Sequence, residues 1–225
     1  MKFLKTAIPD VFIIEPSVFG DNRGYFLESF NLEEFEQNVR PINFVQDNES
    51  KSTKGVLRGL HFQKAPKAQA KLVTVLKGKI FDVAVDIRKN SPTYGKWVSE
   101  ILSDEIHNLL YVPEGFAHGF CVISDEADVL YKVSNEYSQE HERSIIWNDP
   151  KLNIQWPIKK PIIPPIVPPV GPNIEPIIPQ MSAPTIPSTI FPQKIIMASR
   201  VNTPTTVSIL YILPSINDLL INATC

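Results

Sequence analysis

The sequence predicts an all-β sandwich or barrel over residues 1–160, with one short helix and then an irregular, proline-rich tail over 161–225. Three observations lead there. Short β-branched and aromatic runs recur through 1–160, each closed by Gly, Pro, Asn or Asp. In one of them Phe81, Val83, Val85 and Ile87 alternate with Asp82, Ala84 and Asp86, the period of two that a strand imposes. After Trp156-Pro157 the composition changes: from Pro161 onward the only charges are Glu175, Lys194, Arg200 and Asp218, and prolines recur up to Pro192. Proline lacks the amide donor and fixes φ, so this tail reads as an extended, polyproline-like appendage rather than a second domain.

Each element has its own signal. Val11–Ile14 is a short strand, and Gly24–Phe30 another, after the Pro16 and Gly20-Asp21-Asn22 turn residues. Asn31 is a good N-cap, and Glu33 and Glu34 suit the first turn of a helix near 31–38. Lys71–Leu76 and Lys79–Ile87 flank Lys77-Gly78, which reads as a hairpin turn. Further strands are expected at Trp97–Leu102, Asn108–Val112, Gly119–Ile123 and Val129–Val133, and one more in the tail at Ser208–Leu213.

Composition removes several functional classes. The chain has 225 residues and a net charge of -2, which offers no electrostatic case for nucleic acid or an anionic membrane surface. No signal peptide and no membrane-length apolar run is apparent. Two cysteines, Cys121 and Cys225, are too few for a disulfide framework and point to a reducing, cytoplasmic setting. Cys121 beside Phe120 reads as a core residue. The four histidines are His61, His107, His118 and His141; with no His-x-His pair to set two imidazoles on one strand face, no metal and no cofactor are expected.

Gly55–Gln63 places a cation (Arg58), a proton acceptor (His61) and an amide (Gln63) within one short apolar run. Read as a regular strand, it puts Leu57, Gly59 and His61 on one face and Arg58, Leu60 and Phe62 on the other. A strand holds a histidine in few rotamers, and imidazole is the side chain best matched to proton transfer near neutral pH. A lone histidine is more often a satisfied core residue; its company elsewhere in the chain is what marks this one.

That company runs in order: Asp21–Glu28, Gln46-Asp47-Asn48, Gly55–Gln63, Lys71-Leu72-Val73, Asp82–Arg88, Ser91–Gly95, Pro113–Phe120, Tyr131-Lys132 and Trp147–Pro150. From about residue 5 to 157 the chain resembles the dTDP-4-dehydrorhamnose 3,5-epimerases, metal-independent cupins of jelly-roll fold. The resemblance implies epimerisation at C3 and C5 of dTDP-4-keto-6-deoxyglucose, with His61 as base, Tyr131 as acid on the opposite face and Lys71 as the cation beside the enolate oxygen. It also implies that Arg23, Glu28, Gln46, Asn48, Arg58, His118 and Glu142 line the nucleotide-sugar site, and that Tyr137 stacks on the thymine ring. A homodimer exchanging N-terminal strands is implied as well.

One departure is plain. The family continues about ten residues past its Trp-Pro with Leu-Ser-x-Lys-Asp, whose aspartate orients the catalytic histidine. Here the region reads Pro164-Pro165-Ile166-Val167-Pro168-Pro169-Val170, with neither the lysine nor the aspartate. Asp82 is then the candidate orienter. The alternatives are a single-carbon epimerase or ketoisomerase of a related dTDP-sugar, or a nucleotide-sugar-binding pseudoenzyme or scaffold whose tail binds a partner.

Overall fold

The computed structural model describes residues 1–163. Their strands are β1 (Lys2–Lys5), β2 (Phe12–Glu15), β3 (Val18–Asp21), β4 (Gly24–Leu27), β5 (Gln46–Thr53), β6 (Leu57–Gln63) and β7 (Lys71–Lys77). These are followed by β8 (Lys79–Asp86), β9 (Trp97–Ser103), β10 (Leu109–Val112), β11 (Phe116–Val122), β12 (Glu126–Val133) and β13 (Glu142–Ser144). A six-stranded sheet runs β1-β2-β10-β7-β12-β5 and a five-stranded sheet runs β13-β6-β11-β8-β9; β3 and β4 form a separate two-stranded ribbon. The all-β fold class and the single short helix α1 (Leu32–Asn38) agree with the sequence, and the Asn31 side chain caps α1 by accepting from the Glu34 amide.

Three apolar layers alternate with the sheets. Between them lies the main core, including Val73, Val75, Ala84, Leu110, Phe116, Phe120 and Val129. Outside the six-stranded sheet, Phe35 of α1 packs edge-on against Tyr111, with ring centroids 5.1 Å apart. Outside the five-stranded sheet, Leu60, Val83, Val85 and Ala117 are covered by Ile145, Leu152, Ile154 and Trp156. Trp97 Nε1 donates to the Leu152 carbonyl and Trp156 Nε1 to that of Trp147, pinning this covering segment. The inner strands β10 and β11 are therefore buried on both faces, and Cys121 lies fully inside, as expected.

Three expectations are corrected. Lys77-Gly78 does not close a hairpin: β7 belongs to one sheet and β8 to the other, so the turn is a corner. Periodicity identifies a strand but not its partners, and those of β8 are β11 and β9. Second, β6 is not a regular strand. His118 pairs with His61 but Phe120 pairs with Arg58, so β6 carries one extra residue, a bulge. Gly59, at φ 133°, makes this possible: a Cβ there would lie 2.4 Å from Gly119 Cα and 2.9 Å from the His118 carbonyl oxygen. The bulge turns Arg58 onto the same inward face as His61, contrary to simple alternation. Third, the strand expected at Gly24–Phe30 ends at Leu27, while β1, β3, β5 and β13 had no clear signal.

The tail strand at Ser208–Leu213 lies outside the described residues. Of the proline-rich stretch, the first residues still pair: Ile162 bridges to Val56, its carbonyl accepting from Leu57 N at 2.9 Å and its amide donating to Gly55 O at 2.7 Å. No described helix is long and apolar enough to cross a membrane.

Candidate active site

A cavity of about 140 Å³ opens at one edge of the sandwich, lined by Gln46, Asn48, His61, Phe62, Gln63, Gln69, Lys71, Tyr131, Tyr137 and Glu142. Register explains how distant residues meet there. Residues directly opposite in an antiparallel pair share a face. Tyr131 stands opposite Asn48 and Val73, and Val133 opposite Gln46 and Lys71, so these side chains share the inner face of the six-stranded sheet. His61 stands opposite His118 and Ser144, and Gln63 opposite Glu142, on the facing sheet. His61 and Tyr131 thus enter one cavity from opposite walls.

The electrostatics differ at each group. Burial, with the Lys71 ammonium next, holds the His61 imidazole below the ordinary histidine value, against the pull of Glu142. His61 is therefore neutral at neutral pH, the form that accepts a proton. Burial also brings Lys71 down to about 8, opposed by Asp82 and Glu142. For Tyr131, burial raises the phenol, opposed by Arg58 and aided by Glu142, so it keeps its proton. No described residue hydrogen-bonds the side chains of His61, Lys71 or Tyr131.

Other residues named from the sequence fall in three places. Gln46, Asn48, Tyr137 and Glu142 line the cavity; Gln46 Nε2 donates to Asn48 Oδ1 at 2.6 Å, and Tyr137 Oη to Glu142 Oε2 at 2.9 Å. Arg58 and His118 stand behind it. Arg58 Nε crosses between the sheets to Ser52 Oγ at 2.9 Å, and His118, buried, is the cross-strand neighbour of His61. Arg23 and Glu28 are elsewhere. Arg23 pairs with Asp21 at the tip of the exposed β3–β4 ribbon, and Glu28 accepts from Asn31 Nδ2 at 3.1 Å. Within one chain neither reaches the cavity.

Asp82 does not orient His61. Its Oδ1 lies 2.7 Å from His118 Nε2, and Oδ2 is buried with no partner among the described residues. Strand order is the reason: β11 lies between β8 and β6, so a carboxylate on β8 meets His118 first. Gln63, Gln69 and Phe62 line the cavity without having been assigned to the site. For Gln63 a signal existed, since it stands two residues after His61 and therefore on the same face.

Comparison with known proteins completes the picture. The family model for dTDP-4-dehydrorhamnose 3,5-epimerase matches residues 5–169. A dTDP-4-dehydrorhamnose 3,5-epimerase of Shigella flexneri is 61% identical over 160 residues, covering 71% of this chain and 88% of its own. The enzyme of the same name from Salmonella typhimurium is 56% identical over 161 residues, covering 71% and 88%. A solved structure from Legionella pneumophila is described as a dTDP-6-deoxy-D-glucose-3,5-epimerase in complex with dTDP-4-keto-L-rhamnose. It superposes with a TM-score of 0.71 at 49% identity, over 73% of this chain and 88% of that one.

Proposed function

This chain belongs to the dTDP-4-dehydrorhamnose 3,5-epimerase family, and we propose that it inverts C3 and C5 of dTDP-4-keto-6-deoxyglucose, giving dTDP-4-keto-L-rhamnose. The observation that carries this reading is the entry of His61 and Tyr131 into one cavity from facing sheets. A proton next to a ketone is removable only if the resulting enolate is stabilised. On this reading neutral His61 takes the carbon-bound proton, and the C–H electron pair passes into the enolate, whose oxygen faces the Lys71 ammonium. The enolate carbon then takes a proton from Tyr131 on the other side, inverting the centre; solvent restores Tyr131 and removes the proton from His61. Repetition at the second flanking carbon completes the double epimerisation.

Arg23 and Glu28 fit the same reading through a second copy of the chain. The β3–β4 ribbon belongs to neither sheet and exposes Phe19 (66%) and Phe26 (70%). In a homodimer this ribbon lies on the partner, carrying Arg23 and Glu28 towards the partner's cavity. Such an enzyme works in the cytoplasm, where Cys121 stays a thiol.

The deciding experiment is turnover in deuterium oxide, followed by NMR of the sugar. Deuterium at both C3 and C5 with inversion supports the proposal. Deuterium at one carbon makes this a monoepimerase or ketoisomerase. Binding of dTDP without any exchange makes it a nucleotide-sugar-binding pseudoenzyme.

A further inference from the structure

Three glutamines from three places in the fold converge on the loop after β12. Gln69 Nε2 donates to the Asn135 carbonyl at 2.7 Å. Gln63 Nε2 donates to the carbonyls of Glu136 at 3.1 Å and Lys67 at 2.6 Å, and its Oε1 accepts from the Ser138 amide at 2.7 Å. Gln46 Oε1 accepts from the Tyr137 amide at 3.1 Å. Four consecutive residues, Asn135 to Ser138, are thus each held by a glutamine side chain. Gln63 is buried, and a primary amide has two N–H donors. Both are spent on backbone carbonyls, so none remains for a ligand.

What the loop carries gives this a purpose. Tyr137 is held along its backbone while its ring is exposed, with its hydroxyl on Glu142 at the cavity mouth. An exposed aromatic on a fixed backbone loses little freedom when a planar ligand stacks on it. We propose that Gln63 and Gln69 are positioning residues: they clamp Asn135–Ser138 and so hold Tyr137 and Glu142 at the mouth, setting substrate affinity without entering proton transfer. The proposal rests on the reading of this cavity as the nucleotide-sugar site.

The test compares full-length wild type with Gln63→Leu, Gln63→Glu and Gln69→Leu. Amide hydrogen exchange over residues 134–141 is measured alongside dTDP binding by calorimetry, and KM and kcat on the 4-keto sugar. In both Gln63 variants the loop should exchange about tenfold faster or more, with the Kd for dTDP and KM raised about tenfold. In the same variants kcat should stay within about threefold. Glutamate preserves volume but loses the two N–H donors, so if Gln63→Glu behaves as wild type the role is mere packing and the proposal falls. Unchanged loop exchange, or a loss confined to kcat, overturns it too. Should the buried Gln63 variants not fold, Gln69→Leu, which loses one bond, must still shift loop exchange and Kd in the same direction. If wild type turns over no 4-keto sugar, the functional reading fails, while loop exchange and dTDP affinity still decide the clamp.

Discussion

Asp82 and Asp86 lie on one face of β8, both fully buried, and the protein treats them in opposite ways. Asp86 is saturated. Arg88 Nε and a guanidinium NH2 reach it at 2.9 and 2.7 Å, Ser91 Oγ at 2.5 Å and Thr93 Oγ1 at 2.6 Å. Against burial, which alone would raise it, these bonds hold the carboxyl well below the ordinary range. Arg88 in turn packs its guanidinium 4.6 Å from the Phe116 ring centroid and pairs with Asp10. Asp82 has one bond, to His118, and an oxygen with no described partner; His61, Lys71 and Tyr131 have no side-chain bonds to described residues at all. A native fold satisfies most of its polar groups internally, so a cavity whose half-buried polar side chains have no protein partner marks a place where something else uses them. The Asp86 cluster reads as architecture and the cavity as chemistry.

Paired substitutions should pull the two apart. Asp86→Asn breaks a buried charge pair and should cost about 3–5 kcal/mol in urea unfolding, with activity per folded molecule kept. His61→Asn should do the reverse: deuterium exchange at both carbons falls by about 10²- to 10⁴-fold with unfolding nearly unchanged. Exchange at the wild-type rate in that variant would take His61 out of the mechanism. Tyr131→Phe should uncouple the two halves of the reaction, retaining proton abstraction while inversion is lost; an equal fall in both would confine Tyr131 to binding.

The pH profile sharpens the contrast. Activity should rise as His61 loses its proton, at a pH below the ordinary 6.5, and fall as Lys71 deprotonates at about 8. Stability should move the other way on the alkaline side. Lys71 holds its proton up to about 8 when folded and 10.5 when unfolded, so between these values the unfolded chain binds more protons and stability rises with pH. The difference in unfolding free energy between wild type and Lys71→Met isolates this contribution; a difference that stays flat from 8 to 10.5 would mean Lys71 is not desolvated.

Asp82→Asn is the intermediate case. It should cost about 1–3 kcal/mol of stability, less than Asp86→Asn, because only the one bond to His118 is altered, and kcat falls through that same pair. A loss as large as that of Asp86→Asn would erase the distinction. Ending the chain after Pro157 rather than after Ile163 removes no residue that lines the cavity and should cost about 1–2 kcal/mol of stability, the two backbone bonds at Ile162.

Much of this was legible in the sequence. Period two in Phe81–Ile87 and the β-branched runs identified most strands, and the Asn31 cap placed the helix. The ordered motifs assembled most of the cavity lining, because family order stands in for spatial proximity. What stayed hidden is what local pattern does not encode. The partners of β8 are β11, thirty or more residues away (Phe116↔Asp86), and β9, not the β7 that precedes it, so Lys77-Gly78 looked like a hairpin. The bulge that turns Arg58 inward depends on how closely β11 approaches Gly59. Asp82 was misassigned because β11 intervenes. Gln69 bonds a backbone carbonyl, which leaves no residue pattern to match, and for Gln63 alternation gives its face but not its backbone partners.

The meeting of Gly59 and Gly119 bears on which variants of this strand are reachable. A Cβ on Gly59 would strike Gly119 Cα at 2.4 Å, and one on Gly119 would lie 2.7 Å from the Arg58 carbonyl oxygen and 2.9 Å from Gly59 Cα. The nearest obstacles are backbone, which cannot swing aside as a side chain would. No single exchange at either position has a nearby compensating exchange, so the bulge, and with it the common facing of Arg58 and His61, is kept whole or lost whole. Sequence drift can rework the surrounding apolar layers one methyl at a time; at this crossing it has no intermediate step to take.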